Sequence, residues 1–146
     1  MSKIIINGSH QIEGNTSVLI EKLFPEHEII NLIEYKIELY NYNEKYSTDD
    51  DFISIIEKII NYDEIVLATP VYWYSISSLM KIFFDRLTDL LNSKQELGYQ
   101  LKNKKVQVIT TSNGNNLNEI FFEPIIATCE YLGMYFTNGE HFVTPI

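Results

Sequence analysis

Three short stretches of the chain carry residues suited to gripping a small polar molecule. The first, GSHQIEGNTS at 8–17, holds two glycines, two serines, a threonine and an asparagine, just after the apolar run Ile4-Ile5-Ile6. A phosphate seated at a helix N-terminus needs free backbone N–H groups and a few hydroxyls. Ser9, Asn15, Thr16 and Ser17 offer hydroxyl and amide donors, and Gly8 and Gly14 let the backbone approach closely. No Lys or Arg occurs between Lys3 and Lys22, so a phosphate here would rest on neutral donors and the helix dipole, with His10 at most assisting. The plainer reading, a long turn capped at Asn15-Thr16, stands level with it on this loop alone.

The second stretch, TPVYWYS at 69–75, sets three aromatics directly after an apolar run. A flat, hydrogen-bonding ring system suits such a place, with side-chain rings against its face and backbone N–H groups at its polar edge. Covering a sheet edge or forming a dimer contact is the other use for Tyr72, Trp73 and Tyr74. The third stretch, TSNGNN at 111–116, is small and polar and could flank the same ring from the opposite side or serve as an ordinary turn. Two familiar phosphate motifs are missing. There is no GxGxxG and no GxxxxGK[ST], which excludes the standard dinucleotide fingerprint and the nucleotide triphosphatase loop. A phospho-receiver domain needs acidic residues after its first strand and an Asp after its third, where this chain has Asn7-Gly8-Ser9 and Thr69-Pro70.

These loops must be held by elements, and hydrophobic periodicity supplies them. Residues 3–7, 27–32, 63–69 and 105–111 read as buried strands, and 134–137 with 141–144 as a final strand in one piece or two. Helices are predicted over 16–24, with Val18, Leu19, Leu23 and Phe24 inward, and from the cap Thr48-Asp49-Asp50-Asp51 through Ile60. A third covers 77–91, with Leu79, Met80, Phe83, Phe84 and Leu87 inward. A fourth runs from near Pro124 to Leu132, preceded by a separate turn at 117–122 and stopped by Gly133. Residues 33–48 read as an ordered loop and 92–103 as a polar connection. Strands alternating with amphipathic helices imply an α/β fold: a five-stranded parallel sheet with helices on both faces, formed as a single domain over 1–146. Ligands in such sheets bind beyond the carboxyl ends of the strands, which is where all three loops fall.

Composition narrows the function. The net charge is −9 and Arg86 is the only arginine, which argues against a nucleic-acid partner. No apolar stretch approaches a bilayer span, and no signal-peptide pattern opens the chain, so no membrane partner and a cytoplasmic location are expected. Cys129 stands alone, so neither an internal disulfide nor an iron–sulfur cluster is expected, and no metal ligands are assigned.

At these residues the sequence resembles the flavodoxin-like NAD(P)H-dependent FMN reductase and quinone oxidoreductase family. The resemblance lies in GSHQIEGNT, in DEIVLATPVYWYSISSLMKIFFDRL, in LKNKKVQVITTSNG and in EYLGM, and it covers nearly the whole chain; 63–87 is its most specific part. It implies the strand order 2-1-3-4-5 and FMN as cofactor. It places Ser9, Asn15, Thr16 and Ser17 on the FMN phosphate, Pro70, Val71, Tyr72 and Trp73 along the isoalloxazine, and Thr111, Ser112 and Gly114 on the other side. Asp85 and Arg86 match the family's helix end and are read as structural or interfacial; no catalytic residue is assigned. There are departures. His10 and Gln11 stand where the family often has an arginine, the region 39–46 lacks the cysteines of the iron–sulfur branch, and a shortened 92–103 connection would open the pocket.

The implied activity is electron transfer from NAD(P)H through bound flavin to a small-molecule acceptor such as a quinone, free flavin or nitro compound, in ping-pong fashion. With no arginine to spare for a 2′-phosphate, NADH is expected to serve as well as NADPH. His141 is the conceivable proton donor, though a lone His near a terminus is commonly a surface residue. A homodimer is expected, with 72–74 and the 77–91 helix as contacts. The alternative is a flavodoxin-type electron carrier without its own nicotinamide site, whose acidic surface would dock on basic redox partners. A third reading is a domain that has lost its flavin and only binds.

Overall fold

Ile4, Ile5 and Ile6 are all fully buried, as are Val66, Ala68, Val108 and Ile109. A strand with no solvent-facing side belongs in the middle of a sheet covered above and below. The computed structural model, which describes residues 1–146, builds that sheet from five parallel strands: β1 (Lys3–Asn7), β2 (Glu28–Asn31), β3 (Glu64–Pro70), β4 (Lys105–Ser112) and β5 (Tyr135–Val143). Their spatial order is β2-β1-β3-β4-β5, as the resemblance implies. The order reverses beside β1, and the carboxyl ends of β1 and β3 lie in register there, Asn7 opposite Ala68. The last strand is one piece, with a register shift opposite Val106 and Gln107.

The helices are α1 (Asn15–Leu23), α2 (Phe52–Ile59), α3 (Ser78–Arg86), α4 (Gln95–Tyr99) and α5 (Glu123–Leu132). They divide unevenly between the faces. Phe52, Ile55, Ile56 and Ile59 of α2, Met80 and Phe83 of α3, and Ile125, Cys129 and Leu132 of α5 join Ile4, Ile6, Ile65, Leu67, Val106 and Val108 in one large core. At about 1.5–3 kcal/mol for each large apolar side chain removed from water, this core supplies most of the favourable free energy. On the opposite face α1 alone contributes helical side chains, Leu19 and Ile20, to a smaller core with Phe24, Ile5, Val66, Ala68 and Ile109.

Several local expectations are corrected. Val18 and Leu23, expected to face inward, are about half exposed; Thr16, Leu19 and Ile20 are the buried side of α1. The register of α1 is set by Thr16, which must turn under the sheet's end, and that rotates Val18 outward. Helix α2 starts at Phe52, and Asp51 makes no side-chain cap; Asp50 instead accepts the Phe52 N–H at 3.1 Å. The helix expected over 77–91 narrows into a 3-10 turn at Leu87–Leu91. The connection expected to be irregular over 92–103 contains α4, seated so that a Cβ on Gly98 would lie 2.3 Å from the Leu90 carbonyl oxygen. Pro124 occupies the first turn of α5 after a 3-10 turn at Glu119–Phe122, and Gly133 ends that helix at φ +77°, both as expected.

Candidate functional site

Asn7, the last residue of β1, organises the first loop. Its side-chain Oδ1 accepts the Ser9 N–H at 3.0 Å, and its Nδ2 donates to Ser17 Oγ at 3.2 Å and to Asn31 Oδ1 at 2.9 Å. Ser9 is buried, and its Oγ accepts the Gln11 N–H at 3.1 Å. Gly8 lies against α3: its carbonyl accepts the Ser77 hydroxyl at 2.6 Å, and a Cβ there would fall 3.0 Å from Ser77 Oγ and 3.1 Å from Met80. Ser77 in turn caps α3 by accepting the Met80 N–H at 3.1 Å. Helix α1 starts without a side-chain cap at Gly14 and without an acidic residue in its first turn. Its leading amides therefore have no helical partner and carry the positive end of the dipole.

The second loop is a tight turn. Tyr72 N–H donates to the Ser75 carbonyl at 2.9 Å and Ser75 N–H to the Tyr72 carbonyl at 3.1 Å. Between them Trp73 and Tyr74 both take positive φ, +51° and +66°. A two-residue turn of this hand is normally Asn-Gly. Holding two aromatics in it costs on the order of 1 kcal/mol or more each. Trp73 is also 93% exposed. None of the chain's loop hydrogen bonds uses the amide of Trp73 or Tyr74.

Thr111 joins the third loop to the first through Thr16, their hydroxyls 3.0 Å apart in a buried contact. The Val71 N–H donates to the Thr111 carbonyl at 2.9 Å and ties in the second loop. Beyond it, Ser112 lies 2.6 Å from His141 Nε2, and the Ser112 carbonyl accepts the Thr144 N–H at 2.8 Å. Burial holds the His141 imidazole below its ordinary pKa and so favours the neutral ring.

The three loops enclose a cavity of about 260 Å³ lined by Ser9, Gln11, Gly14, Asn15, Thr16, Pro70, Val71, Tyr72, Thr111, Ser112, Asn113 and Thr144. Of the residues singled out in the sequence, Ser9, Asn15, Thr16, Pro70, Val71, Tyr72, Thr111 and Ser112 come together here. Three do not line it. Ser17 lies with Asn7 on the far side of α1's first turn, Trp73 projects into solvent, and Gly114 stands exposed within the third loop. Sequence reasoning missed Gln11, Asn113 and Thr144, which carry no signal beyond being small or amide residues in loops. It also missed Asn7, whose one signal is a polar side chain ending an apolar strand. No residue of 92–103 lines this cavity. A larger cavity, about 570 Å³, lies along α1 and β2, where Glu13 and Glu21 outnumber the one cation, Lys22.

The remaining reactive side chains are engaged elsewhere. Arg86 has no exposed surface. Its guanidinium grips Asp50 at 2.8 and 3.0 Å, Asp89 at 2.8 Å and the Glu38 carbonyl at 3.0 Å, with the Tyr46 ring centroid 3.4 Å away. Burial would raise the Asp50 carboxyl, but hydrogen bonds from Arg86 and from the Glu38 and Phe52 amides outweigh it and hold the group below its ordinary value. Burial, then the hydrogen bond to Asp89, pushes the Tyr46 hydroxyl up to about 12. Arg86 is thus structural and pins the 35–51 loop. Asp85, an exposed partner of Lys81, stays on the surface of α3. Cys129 is buried and pushed up to about 11, so it is an inert thiol.

The site's neutral donors and uncapped helix fit a phosphate tail, and its aromatic turn fits a ring. The family comparison agrees: the model for NADPH-dependent FMN reductases matches residues 1–145. The chain belongs to that family. It is 32% identical over 124 residues to YwqN of Bacillus subtilis, a protein named as an NAD(P)H-dependent FMN-containing oxidoreductase, covering 79% of this chain and 68% of YwqN. It is 30% identical over 117 residues to the iron–sulfur flavoprotein MJ1083 of Methanocaldococcus jannaschii, covering 71% of this chain and 58% of that one. Cys129 alone cannot supply the thiolates an iron–sulfur cluster needs, so this member of the family lacks the cluster's ligands. Among solved structures, the Trp repressor binding protein of Bacillus subtilis superposes with a TM-score of 0.77 at 26% identity, over 97% of this chain and 83% of that one. The flavodoxin-like fold and order 2-1-3-4-5 are therefore shared with family members, and no helix is long and apolar enough to cross a membrane.

Proposed function

We infer that the protein is an FMN-dependent oxidoreductase that takes electrons from NAD(P)H and delivers them to a small-molecule acceptor. The single observation that carries this is the convergence of a helix N-terminus without a side-chain cap or a first-turn carboxylate with Pro70, Val71 and Tyr72 around one cavity. Bound FMN supplies the two-electron chemistry between a reduced nicotinamide and the second acceptor. The chain's own residues seat and shield it. The first-turn amides of α1, with the Ser9 and Thr16 hydroxyls and the Asn15 side chain, receive the phosphate. Pro70, Val71 and Tyr72 bound the ring on one side, and Thr111 and Ser112 on the other. Backbone N–H groups of the 70–74 turn would supply hydrogen bonds to the ring's polar edge. No carboxylate or imidazole need touch the reacting atoms for this exchange.

The reading extends to a single FMN-binding domain over 1–146 and a cytoplasmic homodimer, with exposed Trp73 and Tyr74 and the outer side of α3 in the contact. It holds no nucleic-acid partner, consistent with a net charge of −9. The electron-carrier alternative shares the fold and the cofactor and differs in having no nicotinamide site of its own. Titration of FMN into the purified protein, followed by anaerobic addition of NADH or NADPH, separates the two. Uptake of FMN and prompt bleaching of its visible band are expected. A flavin that binds but stays oxidised identifies the carrier, and a protein that takes up no FMN defeats both readings.

A further inference from the structure

His141 lies in β5, outside the three loops, and does not line the cavity. It nevertheless reaches one residue that does. Its Nε2 sits 2.6 Å from Ser112 Oγ, and Ser112 Oγ donates to the Gly114 carbonyl at 3.1 Å. A serine hydroxyl has one proton. With that proton on the Gly114 carbonyl, the oxygen's lone pairs are left to accept from His141 Nε2–H, and all three atoms are satisfied in one chain. The geometry is held from both ends. Thr110 of β4 pairs with His141 of β5, so the imidazole is fixed by the sheet rather than by a loop. Three residues on, Thr144 donates from its hydroxyl to Asn113 Oδ1 at 2.7 Å and from its amide to the Ser112 carbonyl at 2.8 Å. The carboxyl end of β5 thus takes hold of Ser112 and Asn113 at three points, two through side chains and one through the Ser112 carbonyl.

We propose that His141 is a positioning residue for the cofactor: by donating to Ser112 it sets the shape of the third loop and so the width of the cleft that receives the ring. Asn7 of β1 and the Ser77 hydroxyl brace the first loop at Ser9 and Gly8, and the Ser77 N–H holds the start of the second by donating to Thr69 Oγ1 at 3.0 Å. The third loop meets a helix only at Thr111, whose hydroxyl touches Thr16 of α1; past that point the end of β5 braces Ser112 and Asn113. The neutral ring suits the task, since an imidazolium beside Ser112 would carry an uncompensated charge into a half-buried place. This inference rests on FMN being the ligand of the cavity.

The test is FMN affinity of the apoprotein, measured by quenching of flavin fluorescence, for wild type, His141→Leu, His141→Gln, Ser112→Ala and the double variant Ser112→Ala/His141→Leu, with thermal unfolding recorded alongside. Removing the donor is expected to weaken binding about tenfold, the effect of one lost hydrogen bond. Gln, whose amide restores a donor at that reach, is expected to recover affinity to within about threefold, and the double variant is expected to bind no worse than Ser112→Ala alone. Wild-type affinity in His141→Leu, a Gln variant as weak as Leu, or losses that add in the double variant would each overturn the proposal while leaving FMN binding by the wild type intact. Failure of the wild type itself to bind FMN would take down both this and the functional reading, and is told apart by that control.

Discussion

Arg86 shows how one side chain can look like machinery and serve as a bolt. Its position at the end of the most family-like segment invites a functional reading. Burial, two carboxylate partners and a stacked tyrosine make it the anchor of the 35–51 loop. Replacing it with Met would leave Asp50 and Asp89 buried without a cation, and a loss of about 3–5 kcal/mol is expected in urea unfolding at pH 7. The pH dependence follows from the sign at Asp50. Its folded pKa is depressed, so its contribution is present above the ordinary carboxylate pKa of about 4 and is lost as pH falls through the lower folded value. Arg86→Met loses that contribution at every pH, so the gap between variant and wild type should narrow on acidification; a gap that stays constant would refute this account. Asn7 makes a related point. It was invisible as a site residue because its role is to hold Ser9 and Ser17 from inside, and a polar residue ending a strand reads as a turn signal and no more.

The elements were legible where one physical signal dominated. Continuous isoleucines placed β1, helical spacing placed α2, and a glycine stop placed the end of α5. They were missed where tertiary contact decided. Val18 turned outward because α1 is rotated by the buried Thr16–Thr111 contact, and α4 forms because Gly98 can approach the Leu90 carbonyl. The 72–75 turn combines both cases. Its aromatics were visible as ring-binding candidates, but the positive φ at Trp73 and Tyr74 was not, since nothing local favours it. That strain makes a prediction about the element as a whole. Replacing Trp73-Tyr74 with Asn-Gly, the pair this turn type favours, is expected to raise stability by about 1–2 kcal/mol. The same change is expected to lower FMN affinity and turnover, because rings at the cleft mouth are lost. Thermal unfolding and FMN titration of the double variant check both signs; a variant that is less stable than wild type would show that the aromatics are packed, not strained.

At the scale of the molecule, the fold was readable from the alternation of strands and helices, while the uneven covering of the sheet was not. Helices α2, α3 and α5, with Leu97 of α4 beside them, share one face, and α1 alone serves the other. The distribution of cations is also a whole-molecule property. No Lys or Arg lines the cavity, and the single arginine is locked in the core. A 2′-phosphate therefore has no guanidinium to meet, and the kcat/KM for NADH is expected to fall within about tenfold of that for NADPH. A preference for NADPH well beyond that would mean lysines or backbone take up the phosphate. The isolation of that arginine has a further consequence for how the protein can be handled. A protease specific for arginine finds one cleavable bond in the whole chain, and finds it only in molecules whose α2–α3 packing has come apart. Its rate of cutting would report the population of opened molecules directly. Any small molecule that prefers the closed form would announce itself by slowing the appearance of the same two fragments.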